Sequence, residues 1–316
     1  MPGQADPAEL VARARAGEQR AVARLISLVE NASPQLREVT AALAPHTGHA
    51  QIVGLTGAPG VGKSTTTSVL VSELRERGKR VGVLAVDPSS PFSGGALLGD
   101  RVRMGDHATD DGVFIRSMAT RGHLGGLAWA TPQALRVLDA AGCDIVLVET
   151  VGVGQSEVDV VGLADTAVVL LAPGMGDGVQ AAKAGILEIG DVFVVNKADR
   201  DGARQTVREL KNMLTLRDGN DAWSPPVLRA VAARAEGVDG VADAVAEHFA
   251  WSERSGALAR RRRLRARSEI EAIGLDQVRA RMESLRGGDA LDGLADRVLA
   301  GELDPDTAAD ELLSRT

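Results

Sequence analysis

The chain of 316 residues has no tyrosine, four phenylalanines, three tryptophans, one cysteine and five histidines. With so few aromatics the core must be filled by Val, Leu, Ile and Ala. The single Cys143 excludes an intramolecular disulfide framework and any zinc site built on cysteines. The histidines are scattered and show no ligand spacing. No apolar run approaches the roughly 18–20 residues that span a bilayer. The first residues show no apolar stretch of the secretory kind. A cytoplasmic protein with no membrane partner is expected. Positive charge is not in excess either: 36 Lys and Arg stand against 43 Asp and Glu, a net charge of -7. That balance argues against nucleic acid as the main partner. What remains is globular in kind, 44% hydrophobic and 25% charged, which excludes disorder over the whole chain.

Three regions differ in pattern. Residues 1–48 read as helical. Asp6-Pro7-Ala8-Glu9 is a helix start, with Asp6 as cap, Pro7 in the first turn and Glu9 three residues after the cap. Val22, Leu25, Ile26 and Val29 share one helical face. Residues 49–250 alternate short apolar runs with helical stretches. The runs are 52–56, 81–86, 144–149, 167–172, 192–196 and 227–231. They are rich in Val and Leu with little polar alternation, as strands buried on both faces of a parallel sheet are. A doubly wound, mostly parallel α/β sheet is expected. Residues 251–316 have no strand-like run and read as a helical arm. It carries a basic run, Arg260–Arg263 with Arg265 and Arg267, which reads as a solvated or interface face. Leu291, Leu294 and Val298 have helical spacing, and Asp304-Pro305 looks like a cap for a last short helix.

Gly57-Ala58-Pro59-Gly60-Val61-Gly62-Lys63-Ser64 matches the phosphate-loop pattern in full. A strand enters it and a helix, about 64–77, leaves it. The glycines let backbone N–H groups turn toward phosphate oxygens, and the helix N-terminus adds its positive end. Lys63 would reach the β- and γ-phosphates, and the Ser64 hydroxyl would bind Mg²⁺. Thr65 follows in the first helical turn and completes the candidate phosphate-binding set.

Such a loop needs acids to hold the metal and sense the γ-phosphate. Asp87 ends the run 81–86, and carboxyl ends of strands face the ligand crevice in this architecture. It would serve equally as a turn former before Pro88. Asp100 lies in a glycine-rich loop and reads as a metal ligand or as a solvated acid. Glu149 ends the run 144–149 and begins Glu149-Thr150-Val151-Gly152, an acidic-x-x-Gly element whose Gly152 N–H can touch a γ-phosphate.

Asn196-Lys197-Ala198-Asp199 follows the fifth run. It has the N-K-x-D form of guanine-nucleotide proteins. Asp199 can accept from N1–H and the exocyclic amine of guanine, which adenine does not offer. Asn196 can donate to N7, and the stem of Lys197 can cover the base. Mispaired bases leave buried polar groups unsatisfied, so such a site discriminates strongly. GTP and GDP are expected over ATP. Ala232-Ala233 stands where a Ser-Ala pair usually brings a backbone N–H to guanine O6.

The run 56–66, Leu84–Ser90, Gly94-Gly95, Leu98–Arg101, Val148–Glu157 and Asn196–Asp199 together resemble the methylmalonyl-CoA mutase-associated GTPases of the MeaB or ArgK type, in the SIMIBI class. The string Glu149–Glu157 is the specific part. The resemblance implies a homodimer, joined partly by the C-terminal arm, that binds an adenosylcobalamin-dependent acyl-CoA mutase. It implies that the GTPase gates cofactor loading and protects the mutase from inactivation. Asp177, Gln180 and Lys183, within Pro173–Lys183, match an additional switch that couples nucleotide state to the mutase. Gly178 departs from that switch, where relatives often carry an acid. Residues 116–126 resemble another mobile loop of the family, or a glycine-rich connection.

The reaction implied is GTP + H₂O → GDP + phosphate, with catalysis by Lys63, Glu149 and Asp100 and with Mg²⁺ held by Ser64, Asp87, Asp100 and Glu149. Val153 stands where Ras-like proteins place a water-orienting glutamine. Slow intrinsic turnover, completed by a partner, is therefore expected. A transport-system kinase and a nickel metallochaperone are the rival readings. The N-K-x-D loop opposes the first, and the lack of soft or clustered imidazole ligands opposes the second.

Overall fold

The structure is a computed structural model that describes residues 6–31, 33–87, 105–107, 109–119, 130–150, 162–174, 189–215, 223–286 and 289–313. The chain divides into two compact units, Met1–Leu258 and Ala259–Thr316.

Among the described residues the first unit is built on seven strands: β1 (Gln51–Thr56), β2 (Val81–Asp87), β3 (Val113–Ala119), β4 (Ile145–Thr150), β5 (Thr166–Leu171), β6 (Val192–Val195) and β7 (Val227–Arg229). Their order is β3-β2-β4-β1-β5-β6-β7, and every pairing is parallel. The helices are α1 (Pro7–Arg15), α2 (Gln19–Glu30), α3 (Leu36–Leu43), α4 (Lys63–Glu76), α5 (Thr131–Ala140), α6 (Ala203–Leu214) and α7 (Val238–Arg254). The expected α/β doubly wound sheet is present. Because the strands are parallel, all their carboxyl ends lie along one edge, and the loops that follow β1, β6 and β7 gather there.

Residue parity decides which helices each strand faces. In β4, Val146 and Val148 face one cluster, with Leu25, Ile26 and Val29 of α2 and Leu138 of α5. Ile145 and Leu147 face the other, with Leu70 and Val71 of α4 and Val241 of α7. Toward the far edge, Val169 and Leu171 of β5 and Phe193 of β6 pack on Leu210 of α6. Leu25 and Ile26 are fully buried, so the first helices are integral to the core of this unit. Asp6 caps α1 by accepting from the Ala8 N–H at 3.1 Å, and Pro7 opens the helix.

The six expected strands are present with ends shifted by a residue or two. Asp144 falls just outside β4, although its backbone bonds the Gln51 N–H (2.9 Å) and the Arg80 carbonyl (2.8 Å), and its Oδ2 accepts from the Arg80 N–H at 2.7 Å. The reading of 116–126 as a loop is corrected for its first part. Residues 116–119 belong to β3, which pairs with β2 from Val81↔Val113 to Asp87↔Ala119. Arg116 anchors this strand to α2 through Ser27 Oγ (3.2 Å) and the Glu30 carboxylate. A charged residue therefore sits in an edge strand without breaking it.

The second unit contains most of α8 (Ala257–Arg286), with α9 (Asp289–Leu299) and α10 (Pro305–Leu313). Leu294, Ala308 and Leu312 form a small cluster between α9 and α10, with Leu291 and Val298 packed against it. Asp304 caps α10, accepting from the N–H groups of Asp306 and Thr307 at 3.0 Å each. Arg260–Arg263, Arg265 and Arg267 lie on α8, as do the exposed Leu264, Ile270, Ile273, Leu275 and Val278. Among the described residues no helix is long and apolar enough to cross a membrane.

Candidate functional site

β1 runs into residues 57–62 and out into α4. Three glycines of this loop have positive φ: Gly57 (141°), Gly60 (78°) and Gly62 (97°). Two of them are also hemmed in. A Cβ on Gly57 would lie 2.2 Å from the Leu170 carbonyl oxygen, and one on Gly62 would lie 2.4 Å from Asn196 Nδ2. The glycine spacing thus answers both a backbone conformation and the close approach of β5 and the base loop. Val61 is buried in the core behind the loop. Thr66 and Thr67, both fully buried, return their hydroxyls to the carbonyls of Gly62 (2.9 Å) and Lys63 (3.0 Å). These contacts fix the first turn of α4, where N–H groups point toward the loop.

Lys63 is buried, and its Nζ donates to the carbonyl oxygens of Gly57 (2.6 Å) and Ala58 (3.2 Å). Its charge is therefore held over the loop. Ser64 Oγ donates to Glu149 Oε1 at 2.5 Å. Glu149, 4% exposed, is placed by β4, which pairs it with Leu55 of β1 and Ala85 of β2. A hydroxyl and a carboxylate at a phosphate loop are hard oxygen donors of the kind Mg²⁺ prefers, so these two residues fit that ion. Asp87 closes β2 beside Glu149's strand. Its side chain lies outside the described residues, as do Asp100, Gly152, Asp177, Gln180, Lys183 and Gly178. Among the described residues no group of three or more His, Cys, Asp or Glu is placed to hold a metal ion.

The base loop begins where β6 ends. Asn196 is buried, and both ends of its amide are engaged. Nδ2 donates to the Val61 carbonyl at 2.8 Å, and Oδ1 accepts from the Ala232 N–H at 3.0 Å. Lys197, at φ 54°, sends its Nζ to the Gly60 carbonyl at 2.6 Å. The phosphate loop, the base loop and the Ala232-Ala233 loop are thereby tied into one body. The Ala232 N–H serves Asn196, while Ala233, the other residue of the pair, is exposed.

Arg234 belongs to the same corner and was not foreseen among the site residues. Its Nη1 lies 3.3 Å from Asp199 Oδ2, and its Nε and Nη2 donate to Glu236 at 2.8 and 3.2 Å. The hydrogen bond it donates to Glu236, then the charge of that carboxylate, hold the guanidinium above its ordinary pKa. The alternation Arg234-x-Glu236 just after Ala232-Ala233 was the available signal.

The described atoms therefore offer a glycine-bounded anion cradle, a lysine over it, a hydroxyl–carboxylate pair beside it and an acid-ended loop clamped to it. That set can bind a nucleoside polyphosphate at one end and read its base at the other.

Comparison with known proteins agrees with this geometry. Residues 22–286 match the family described as methylmalonyl Co-A mutase-associated GTPase MeaB. A Pyrococcus abyssi protein named as a GTPase is 50% identical over 309 residues, covering 96% of this chain and 95% of its own. The Mus musculus methylmalonic aciduria type A homolog, named as mitochondrial, is 36% identical over 318 residues, covering 94% of this chain and 76% of its own. The crystal structure of a LAO/AO transport system kinase superposes with a TM-score of 0.74 at 28% identity, over 99% of this chain and 98% of that one.

Proposed function

The chain belongs to the methylmalonyl-CoA mutase-associated GTPase family, and from that premise we propose a GTP-driven chaperone of an acyl-CoA mutase. It gates the loading of adenosylcobalamin into an adenosylcobalamin-dependent mutase, with methylmalonyl-CoA mutase as the client, and protects that enzyme from inactivation. The observation that carries the nucleotide half is the Asn196 amide, which clamps the base loop to the phosphate loop. The mutase half is supported by the family's description and by the resemblance of Glu149–Glu157.

GTP would lie with its phosphates over residues 57–65 and its base against residues 196–199 and Ala233. Lys63 and the loop N–H groups stabilise charge as it develops on the transferred phosphoryl group. Asp199 accepts from guanine N1–H and the exocyclic amine. The second N–H of the Asn196 amide would donate to N7. Ser64 and Glu149, with Asp87 and Asp100, would hold Mg²⁺, which when bound neutralises phosphate charge. Val153 brings no water-orienting amide, so hydrolysis is slow until the mutase docks. Asp177, Gln180 and Lys183 carry the nucleotide state to the client. The exposed apolar residues of α8 support a homodimer made through the arm. The protein works in the cytoplasm.

The test is GTP turnover by the purified protein, alone and with each adenosylcobalamin-dependent mutase of the same organism. A slow basal rate raised at least tenfold by one mutase is expected. Tight GTP binding without stimulation by any of them would remove the mutase half. Transfer of labelled γ-phosphate to a protein in place of water would favour the kinase reading, the name carried by the superposed structure.

A further inference from the structure

A base-reading carboxylate discriminates only if it is aimed. In this protein the usual Ser-Ala pair is Ala232-Ala233, so the serine hydroxyl is missing. The donor that does reach Asp199 is the Arg234 guanidinium, at 3.3 Å from Oδ2. That guanidinium is itself held. Glu236 takes two of its nitrogens in a fork, Nε at 2.8 Å and Nη2 at 3.2 Å, which leaves Nη1 pointing to Asp199.

The loop that carries both residues is closed on itself. Val231 and Glu236 exchange backbone hydrogen bonds, N–H to carbonyl at 2.9 and 3.3 Å. Ala235 turns through φ 57°, and Gly237 follows at φ 73°, where a Cβ would lie 2.4 Å from the Arg229 carbonyl oxygen. The Ala232 N–H fastens the loop to Asn196. A chain of fixed contacts thus runs from the end of β7 through Glu236 and Arg234 to one oxygen of Asp199. Each carboxylate oxygen has two lone pairs, so Oδ2 keeps one acceptor site beside the arginine and Oδ1 keeps both for the base.

Resting on the guanine-nucleotide reading above, we propose that Arg234 is a positioning residue that aims Asp199 at guanine and so sets discrimination against bases lacking the exocyclic amine. Arg234 and Asp199 side chains are 53% and 39% exposed. Solvent screens such a pair, so it adds little to fold stability. Its effect falls on the nucleotide. The planar fork matters as much as the charge, because a lysine would bring the charge without the fixed geometry.

The experiment measures dissociation constants for GDP, IDP and ADP with the full-length protein. IDP keeps N1–H and O6 and lacks the amine. The wild type is expected to prefer GDP to IDP, and both to ADP. Arg234→Ala should weaken GDP more than IDP, compressing their ratio about threefold or more. Arg234→Lys should recover part of the ratio, and Glu236→Ala should lose part of it. Equal weakening of GDP and IDP, or no change in either, would overturn the proposal and leave a structural role at most. Should Arg234→Ala fail to fold by circular dichroism, the Arg234→Lys and Glu236→Ala ratios decide by the same criterion. A wild type that binds ADP as tightly as GDP would instead sink the guanine reading itself, and this inference with it.

Discussion

Asn196 Nδ2 donates to the Val61 carbonyl across 2.8 Å, so the residue that opens the base loop also braces the phosphate loop. Its Oδ1 takes the Ala232 N–H from a third loop. One buried side chain therefore spans the parts of the site that would meet phosphate and base.

Replacing Asn196 by Ala leaves the Val61 carbonyl and the Ala232 N–H buried without partners. Each orphaned group costs about 1–3 kcal/mol. Urea unfolding of ligand-free Asn196→Ala should show a loss of about 2 kcal/mol or more, together with lost GDP binding. Asp199→Ala, at an exposed position, should lose GDP affinity while its urea midpoint stays near that of the wild type. Equal stability of the two variants would show that the brace is unimportant.

Gly60 and Gly62 separate backbone strain from steric conflict. Both have positive φ, yet a Cβ on Gly60 meets nothing within 4 Å while one on Gly62 strikes Asn196 Nδ2. Gly60→Ala should cost only the left-handed penalty of about 1–2 kcal/mol. Gly62→Ala should cost more and should weaken GDP further, because Asn196 must move. Calorimetric melting and GDP titration of the pair check this order.

Lys63 is buried against the loop it serves. Lys63→Ala should reduce single-turnover GTP hydrolysis by about 100-fold or more, the scale of removing one charge-stabilising donor. A rate within threefold of wild type would place the catalytic charge elsewhere.

Cys143 is buried beside β2 and β4, and burial pushes its thiol up to about 12. An ordinary thiol ionises near about 8.5. The folded state thus keeps a proton that the unfolded chain gives up. Stability is whole below the ordinary thiol value and falls as pH rises from there toward 12, by up to about 1.4 kcal/mol per pH unit. Wild type should lose stability more steeply than Cys143→Ala between about pH 9 and 11. A thiol reagent at pH 8 should label Cys143 only as fast as the protein opens. Rapid labelling in the absence of denaturant would contradict its burial.

Much of this molecule was legible in its sequence, for a specific reason. Strands buried on both faces must be almost wholly apolar, so Ile145–Val148 and Ala167–Leu171 announce themselves. The phosphate loop and Asn196–Asp199 are local strings whose geometry is set by their own residues. β3 escaped because it is an edge strand that carries Arg116 and Ser117, and its pairing with β2 is a nonlocal fact. Asp144 looked like strand because its neighbours are apolar, yet its carboxylate caps the turn at Arg80. Arg234 escaped because a charged residue in a loop has meaning only when its partner is known. Asp199 lies 35 residues away in sequence. Ser64 and Glu149 were both named as metal ligands, but their direct hydrogen bond across 85 residues was not readable from either string.

The helices α1–α3 are made well before the strand β4 that covers them. Val146 and Val148, which share their cluster, leave the ribosome roughly 120 residues after Ile26, which at ~5–20 residues per second is on the order of ten seconds. During that interval the nascent chain carries an apolar helical face whose native partner does not yet exist. Docking it must close a long loop, as the pairing of Val53 with Thr166 must, so these nonlocal steps are placed to set the pace of folding.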